Sequence, residues 1–590
     1  MQYEPRLISP FDNGGLITYY KPFLIGDQAF PVLEDAYAWR GTLRKREGYS
    51  LLATLPTVPV QGLKTYYLNT GSSQQEQTLG FSTTKAYLLI SSPSIQFSNI
   101  SFFQTTGAAI SWTGTSSDFF WSCNFAGSLW ATNNVDPLRF WNGTPGSLGV
   151  TGGWNNQRPT LDGSANVLQK CALVLPYKGR LVVLNTQEGT IDGSGNPLTS
   201  TNYFQRARWC QLGTTYVPAT GGDPAVVTPS GFTTDTNAWR QDIPGRGGYI
   251  DADTNERIVS AAIIKDILIV FFQRSTWRLR YTGNEVLPFI WERINTQYGS
   301  ESALSTISFD EGALSFSRFG FVESDTNQVV RIDQKIPDQT FFEMKYGTSA
   351  ASLQVVQGIR DYYRQTAYWC YQDTNQTATF NNQVLAYNYL DKTWAIFNQH
   401  FRTFGYYKQF FDLQWQNATF TWSSANSPWQ GPEQAQFPQV LAAEANPTSG
   451  NVYVVYETTN DAQDVNSDGS LSNFNFDIVT KKFNPYLDQG HRCRLQYVDV
   501  YCSANDGGVF TLNAYLDDEE DTPQITKIVQ ISETQRSAKY VRVFLGAIGR
   551  LIQLELTLSP SQLADPDAGQ VQLEIQGLVI WTRKEGRIKQ

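Results

Sequence analysis

The stretch ERIVSAAIIKDILIVFFQRSTWRLRYTGNEVLPFIWERINTQYGS, residues 256–300, admits few folds. Ile258–Ile264 is apolar and β-branched, and the polar pair Lys265-Asp266 follows it as a turn. Ile267–Phe272 is an almost unbroken apolar run, as a strand buried on both faces requires. Thr276–Tyr281 alternates: Trp277, Leu279 and Tyr281 fall on one face, Arg278 and Arg280 on the other. A glycine-containing loop then leads to a strand over 289–294. Four sequential antiparallel strands in roughly 40 residues is the size of one propeller blade. The apolar strands read as internal packing with Trp277 as a core anchor. Arg278 and Arg280 are where a neighbouring blade or subunit would be met.

Comparable meanders recur through residues 56–465, in about six to eight units by strand rhythm. Aromatic residues are 14% of the chain and charged residues 17%, with 46 glycines and 26 prolines. That balance favours an all-β chain with many turns over a helical bundle. The units share no tight repeat motif, so a set of sandwiches is the competing architecture. Insertions at 187–200, 213–250 and 423–437 are polar and turn-rich, and read as exposed loops that contact partners or neighbouring subunits. Residues 1–55 read as an N-terminal arm or docking segment and 466–475 as a linker. Residues 476–590 carry longer alternating strands, the pattern of a separate β-sandwich. The expected fold is therefore all-β: a propeller-like core of four-stranded meanders plus a C-terminal β-sandwich.

A net charge of −9 argues against a protein that grips nucleic acid by neutralising phosphates. The six cysteines are scattered without a CxxC pair, and read as reduced, buried thiols of a protein made in a cytoplasm. The first residues show no signal-peptide pattern, and no apolar run reaches the ~20 residues that a membrane-spanning helix needs. Stable membrane insertion is not expected.

Candidate chemistry is sparse. The two histidines, His400 and His491, fall in different expected domains, and no nucleophile elbow, HExxH or Walker loop is present. Asp251, Asp253 and Glu256 are close in sequence but lie in a loop without the context of a glycosidase pair. Asp464, Asn466 and Asp468, followed by Gly469, match the first half of a calcium loop, and Asn475 stands where a bidentate Glu belongs. A Ca2+ site there is the one metal expectation, set against an Asp/Asn-rich turn; no organic cofactor is expected. Arg40, Arg44, Lys45 and Arg46 form a basic cluster, read as a solvated turn or, with Arg278 and Arg280, as a subunit or partner contact.

Several segments in order resemble one family. Asn13-Gly14-Gly15, Lys21-Pro22-Phe23, Ala29-Phe30-Pro31, Arg40-Gly41 and Lys45-Arg46-x-Gly48 are similar to the opening of bacteriophage tail nozzle proteins, also called tubular tail protein B, tail hub or tail stabilisation proteins of short-tailed phages. TNNVDPLRFWNG (132–143), GRLVVLNT (179–186), RARW (206–209), STWRLRYTGNEVLPF (275–289), TKKFNP (480–485) and LVIWTRKEGR (578–587) continue the likeness. The resemblance implies a structural virion protein without enzymatic activity, assembled in the bacterial cytoplasm and forming a homo-oligomeric ring, favoured as a hexamer. It implies an adaptor or ring protein on one side, fibres or a plug on the other, and genomic DNA passing through the lumen. The alternative is a carbohydrate-binding or polysaccharide-degrading propeller of a virion or cell surface.

Overall fold

The computed structural model describes residues 3–69, 74–90, 94–103, 107–149, 152–193, 195–216, 233–234, 237–339, 344, 355–373, 380–408, 438–456, 463–466, 468–504, 508–517, 521–531, 539–565 and 572–588. The expected insertion loop 423–437 and, of 213–250, residues 217–232 and 235–236 lie outside these residues. The chain is all-β, built from four-stranded meanders and a C-terminal sandwich.

The meander over 256–300 has the expected form. Ile258–Ile264, Ile267–Phe272, Thr276–Tyr281 and Phe289–Asn295 pair in sequence order, all antiparallel. The Lys265-Asp266 turn holds φ of 46° and 68°. Positive φ at both turn residues matches the right-handed twist of the flanking strands, so a two-residue link suffices. Trp277 is 6% exposed, packs on Phe272 and Trp291, and donates from Nε1 to Ser275 Oγ at 2.8 Å.

Six further meanders follow the same plan, so the described strands form seven. Their first strands are Val60–Asn69, Trp121–Phe125, Val167–Tyr177, Ile258–Ile264, Ile307–Ser308, Gln357–Asp361 and Phe401–Tyr407. Each touches the first strand of the next, and the seventh touches the first, so the ring closes. The seventh unit takes only three strands from its own stretch. Its fourth is Tyr49–Thr54, which pairs antiparallel with Asn451–Val455. Closure therefore joins the start of the propeller to its end by backbone hydrogen bonds, leaving no free seam in the ring.

The first 55 residues, expected as an arm, are threaded through the whole protein. Glu4–Ile8 and Thr42–Lys45 both pair with Leu573–Arg587 in the first sandwich sheet, which also holds Lys539–Gly549, His491–Ala504 and Ala36–Trp39. Val32–Glu34 lies between two bodies. On one side Glu34 bridges Ile396, the outer strand of the sixth meander; on the other the strand pairs with Asp477–Val479 of the second sandwich sheet. One nine-stranded sheet thus runs from propeller into sandwich. A single apolar core follows it, from Trp369 and Trp394 through Leu33 to Leu512 and Val498. Within 466–475, expected as a linker, Leu471–Asn473 pairs with Gln463–Val465.

Candidate functional site

The segment 32–47 that threads between propeller and sandwich carries a dense cluster of buried charge, Asp35, Lys45, Arg46 and Glu47. Arg46, 1% exposed, ends the strand Thr42–Lys45. Its Nη1 and Nη2 donate to both carboxylate oxygens of Asp464 at 2.8 and 2.5 Å, Nε donates to Asp35, and Nη1 also reaches Glu47 O. The Phe474 ring covers the guanidinium at 3.6 Å. Beside it, burial and the Arg46 charge push the Lys45 amine down to about 7. Burial likewise lowers His400, against the pull of Glu444, Asp464 and Asp35.

Two expectations are corrected here. Asp464 is not presented to a calcium ion, since Arg46 takes both of its oxygens. Asn466 and Asp468 sit instead on an exposed turn, where Asp468 accepts from Ser470 N and Oγ at 2.9 and 2.6 Å. Among the described residues no group of three or more His, Cys, Asp or Glu could hold a metal ion. Nor is the basic cluster a shared surface. Lys45 and Arg46 are buried, Arg44 is half-buried and pairs with Glu574 at 3.0 Å, and Arg40 alone is exposed, lying over Trp39. The local reason is strand alternation: Leu43 and Lys45 face the interior, and the buried carboxylates Asp35 and Asp464 make an inward Arg46 tolerable.

Arg278 and Arg280 share Glu292, at 2.6 and 2.5 Å. Arg278 also reaches the turn of the following meander, at Thr326 O and Asn327 Oδ1. Arg280 is half exposed. Arg280→Ala is expected to change stability by less than about 1 kcal/mol, read as an unchanged urea midpoint to within that margin; a larger loss would mean that the pair is not an ordinary surface one.

Two of the three carboxylates weighed for glycoside chemistry, Asp251 and Glu256, are occupied. Asp251 receives Arg206 through Nε and Nη2, both at 2.8 Å, and Glu188 receives Arg206 and Arg208. Glu256 accepts from Ser275 Oγ and Arg274 N. In a second buried network Arg364 lies against Glu47 at 3.2 Å and Asp361 at 3.4 Å, with Tyr37 donating to Glu47. None of the six cysteines forms a disulfide, and burial pushes their thiols up. His491 rests at the sandwich edge with Nδ1 3.1 Å from Glu585 O.

One acidic cluster has no guanidinium ion pair among the described residues, and sequence reading missed it. Asp477, Glu555 and Glu34 come together where Val32–Glu34, Asp477–Val479 and Ile552–Thr557 lie side by side. Burial raises the Asp477 carboxyl to about 7, and the charges of Glu555 and Glu34 and a hydrogen bond with Glu555 add to the rise. Asp477 Oδ1 is buried without a hydrogen-bond partner. Glu555 Oε2 accepts from Asn513 Nδ2 at 2.8 Å and Tyr515 OH at 2.7 Å, and Glu34 Oε2 accepts from Asn398. Burial and the like charges of Glu555 and Glu34 thus favour the protonated form of the Asp477 carboxyl. The only signal in the sequence is a Glu or Asp inside an otherwise apolar strand, as in IQLELT and DIV.

No protein-family model matches the chain, and no curated protein matches it. Similar solved structures include an exo-β-1,3-galactanase of Phanerochaete chrysosporium, at 8% identity and a TM-score of 0.20, covering 84% of this chain and 100% of that one. Hsv2 of Kluyveromyces lactis is similar at 9% identity and 0.23, covering 58% and 97%. A glycoside hydrolase family 43 arabinoxylan arabinofuranohydrolase from Bacillus subtilis is similar at 8% and 0.21, covering 97% and 100%. TM-scores this low place none of those proteins' residues on this chain. Glycoside hydrolases stand among the similar structures, and the expectation of a chain without enzymatic activity is not carried forward.

Proposed function

We propose that the chain is a ring-building subunit of a bacteriophage tail, a nozzle or tube segment through which DNA leaves and to which other tail proteins attach. The observation that carries the reading is the ordered resemblance of segments from Asn13-Gly14-Gly15 to 578–587, which spans nearly the whole chain. Two features of the molecule support it. The propeller is locked shut by Tyr49–Thr54, and its buried carboxylate Glu188 is tied to the guanidinium groups of Arg206 and Arg208, which suits a load-bearing wall. The net charge of −9 lets DNA slide past with few phosphate contacts to break.

A second reading, a carbohydrate-binding or polysaccharide-degrading propeller, is favoured by one observation, the Asp477–Glu555 pair with its proton held to about pH 7. Electron microscopy of the purified chain separates the two. Closed rings with a central channel are expected. A monodisperse monomer that releases reducing ends from a polysaccharide, and loses that activity in Asp477→Asn, overturns the tail reading in favour of the second.

A further inference from the structure

The sandwich sheet buries one face and leaves the other uncovered. Inward, Val498, Val500, Val543, Leu545, Leu578 and Ile580 join the common core. Outward, the register sets rings side by side: Tyr540 beside Tyr501, and Phe544 beside Tyr497, which lies beside Trp581. The ring centroids are 5.8 Å apart for Tyr501–Tyr540 and 5.6 Å apart for Tyr497–Phe544. Tyr540 is 57% exposed, Phe544 53% and Leu7, on the neighbouring strand Glu4–Ile8, 63%. At the centre Arg542 grips Asp499 through Nε and Nη2 at 2.7 and 2.9 Å, and Trp581 Nε1 donates to the same carboxylate at 2.8 Å. Exposed aromatics around a fixed Arg–Asp pair have the composition of an interface hot spot.

Charge and area decide the occupant. The face carries Arg494, Arg542 and Arg583 against Asp499 and Glu585, three positive groups to two negative, on a chain of net charge −9. Copies of an acidic chain repel over most of their surface and can meet where negative charge is neutralised. Four strands about 4.8 Å apart and about six residues long present roughly 400 Å², half of the roughly 800 Å² per partner of a stable interface. The remainder is at hand: Leu7 lines one cavity with Ile17, Gly26 and Asp27, and the loop between those residues exposes Tyr19, Tyr20, Phe23 and Leu24.

We infer that a second copy of this chain covers this face, with Tyr540 and Phe544 at the contact; the inference rests on the ring reading. Tyr540 and Phe544 point outward from an edge strand, so Tyr540→Lys/Phe544→Lys is expected to keep the wild-type melt while losing assembly. Light scattering across a concentration series reads it: the half-association concentration should rise at least tenfold. If the double lysine variant does not fold, Tyr540→Ser/Phe544→Ser serves in the same assay. Wild-type rings that survive either folded variant overturn the face and leave the ring reading standing. A wild type that stays monomeric at every concentration overturns both, and assigns the face to some other occupant.

Discussion

Arg46→Ala is expected to cost about 3–5 kcal/mol of stability, the loss seen when one partner of a buried ion pair is removed. The reason lies in what remains. Asp35 and Asp464, 4% and 8% exposed, would lose the guanidinium that both accept from, leaving only the neighbouring Lys45 amine, which burial pushes down to about 7. Asp464 belongs to Gln463–Val465, which is held to the closing strand through the Asp464–Tyr49 bridge. Strain there falls on the seam of the propeller, so the variant should show a lower chemical-denaturation midpoint and faster proteolysis near the closure. Removing all three charges, as Arg46→Met/Asp35→Asn/Asp464→Asn, should recover most of the loss, because neither carboxylate is then left without its guanidinium and the Lys45 amine, already pushed down by burial, can go neutral. A single Arg46→Ala variant within about 1 kcal/mol of wild type would show that the network is wetter and weaker than its geometry indicates.

The same residue shows where the sequence could be read and where it could not. The meander over 256–300 is legible because its information is local: period-2 alternation, a two-residue polar turn and aromatic packing within some 40 residues. Residues 32–47 are the opposite case. Val32–Glu34 is three residues long, too short for any periodicity, and its partners lie at Ile396 and Asp477–Val479. Basic residues in RGTLRKREG look solvated until the carboxylates more than four hundred positions away are brought in. Asp464 looks like a metal ligand until Arg46 is seen to occupy it. A calcium loop and a buried ion pair both need carboxylates in a turn-rich context, and local spacing alone does not separate them. The acidic cluster was hidden for the same reason: Glu34, Asp477 and Glu555 come from three separate stretches, and only strand register makes them neighbours.

That cluster makes the second large prediction, a stability that falls as pH rises. The Asp477 carboxyl, with an ordinary value of 3.8, is raised to about 7 in the folded chain. Between those values the native state holds a proton that the unfolded state has lost, so stability is fully present below about pH 4 and is lost as pH climbs toward 7. One such group contributes a slope of at most about 1.4 kcal/mol per pH unit. Other groups act with the opposite sign. His400, held below its ordinary 6.5 by burial, strengthens the fold as pH rises toward that value, and Lys45, held to about 7, does so at higher pH. The raw profile therefore mixes the three, and the informative quantity is wild type minus Asp477→Asn. An Asn keeps a donor for Glu555 and carries no charge, so the variant should equal wild type below about pH 4 and exceed it by a few kcal/mol at pH 8. Urea midpoints at pH 5, 6, 7 and 8 measure the difference. A constant offset across the four would mean that Asp477 is ionised throughout, with the Glu555 pair relaxed by water. A growing gap would place a proton-sensitive joint at the strand that links propeller to sandwich. In a ring of such subunits that joint would loosen as the surroundings pass from acid to neutral.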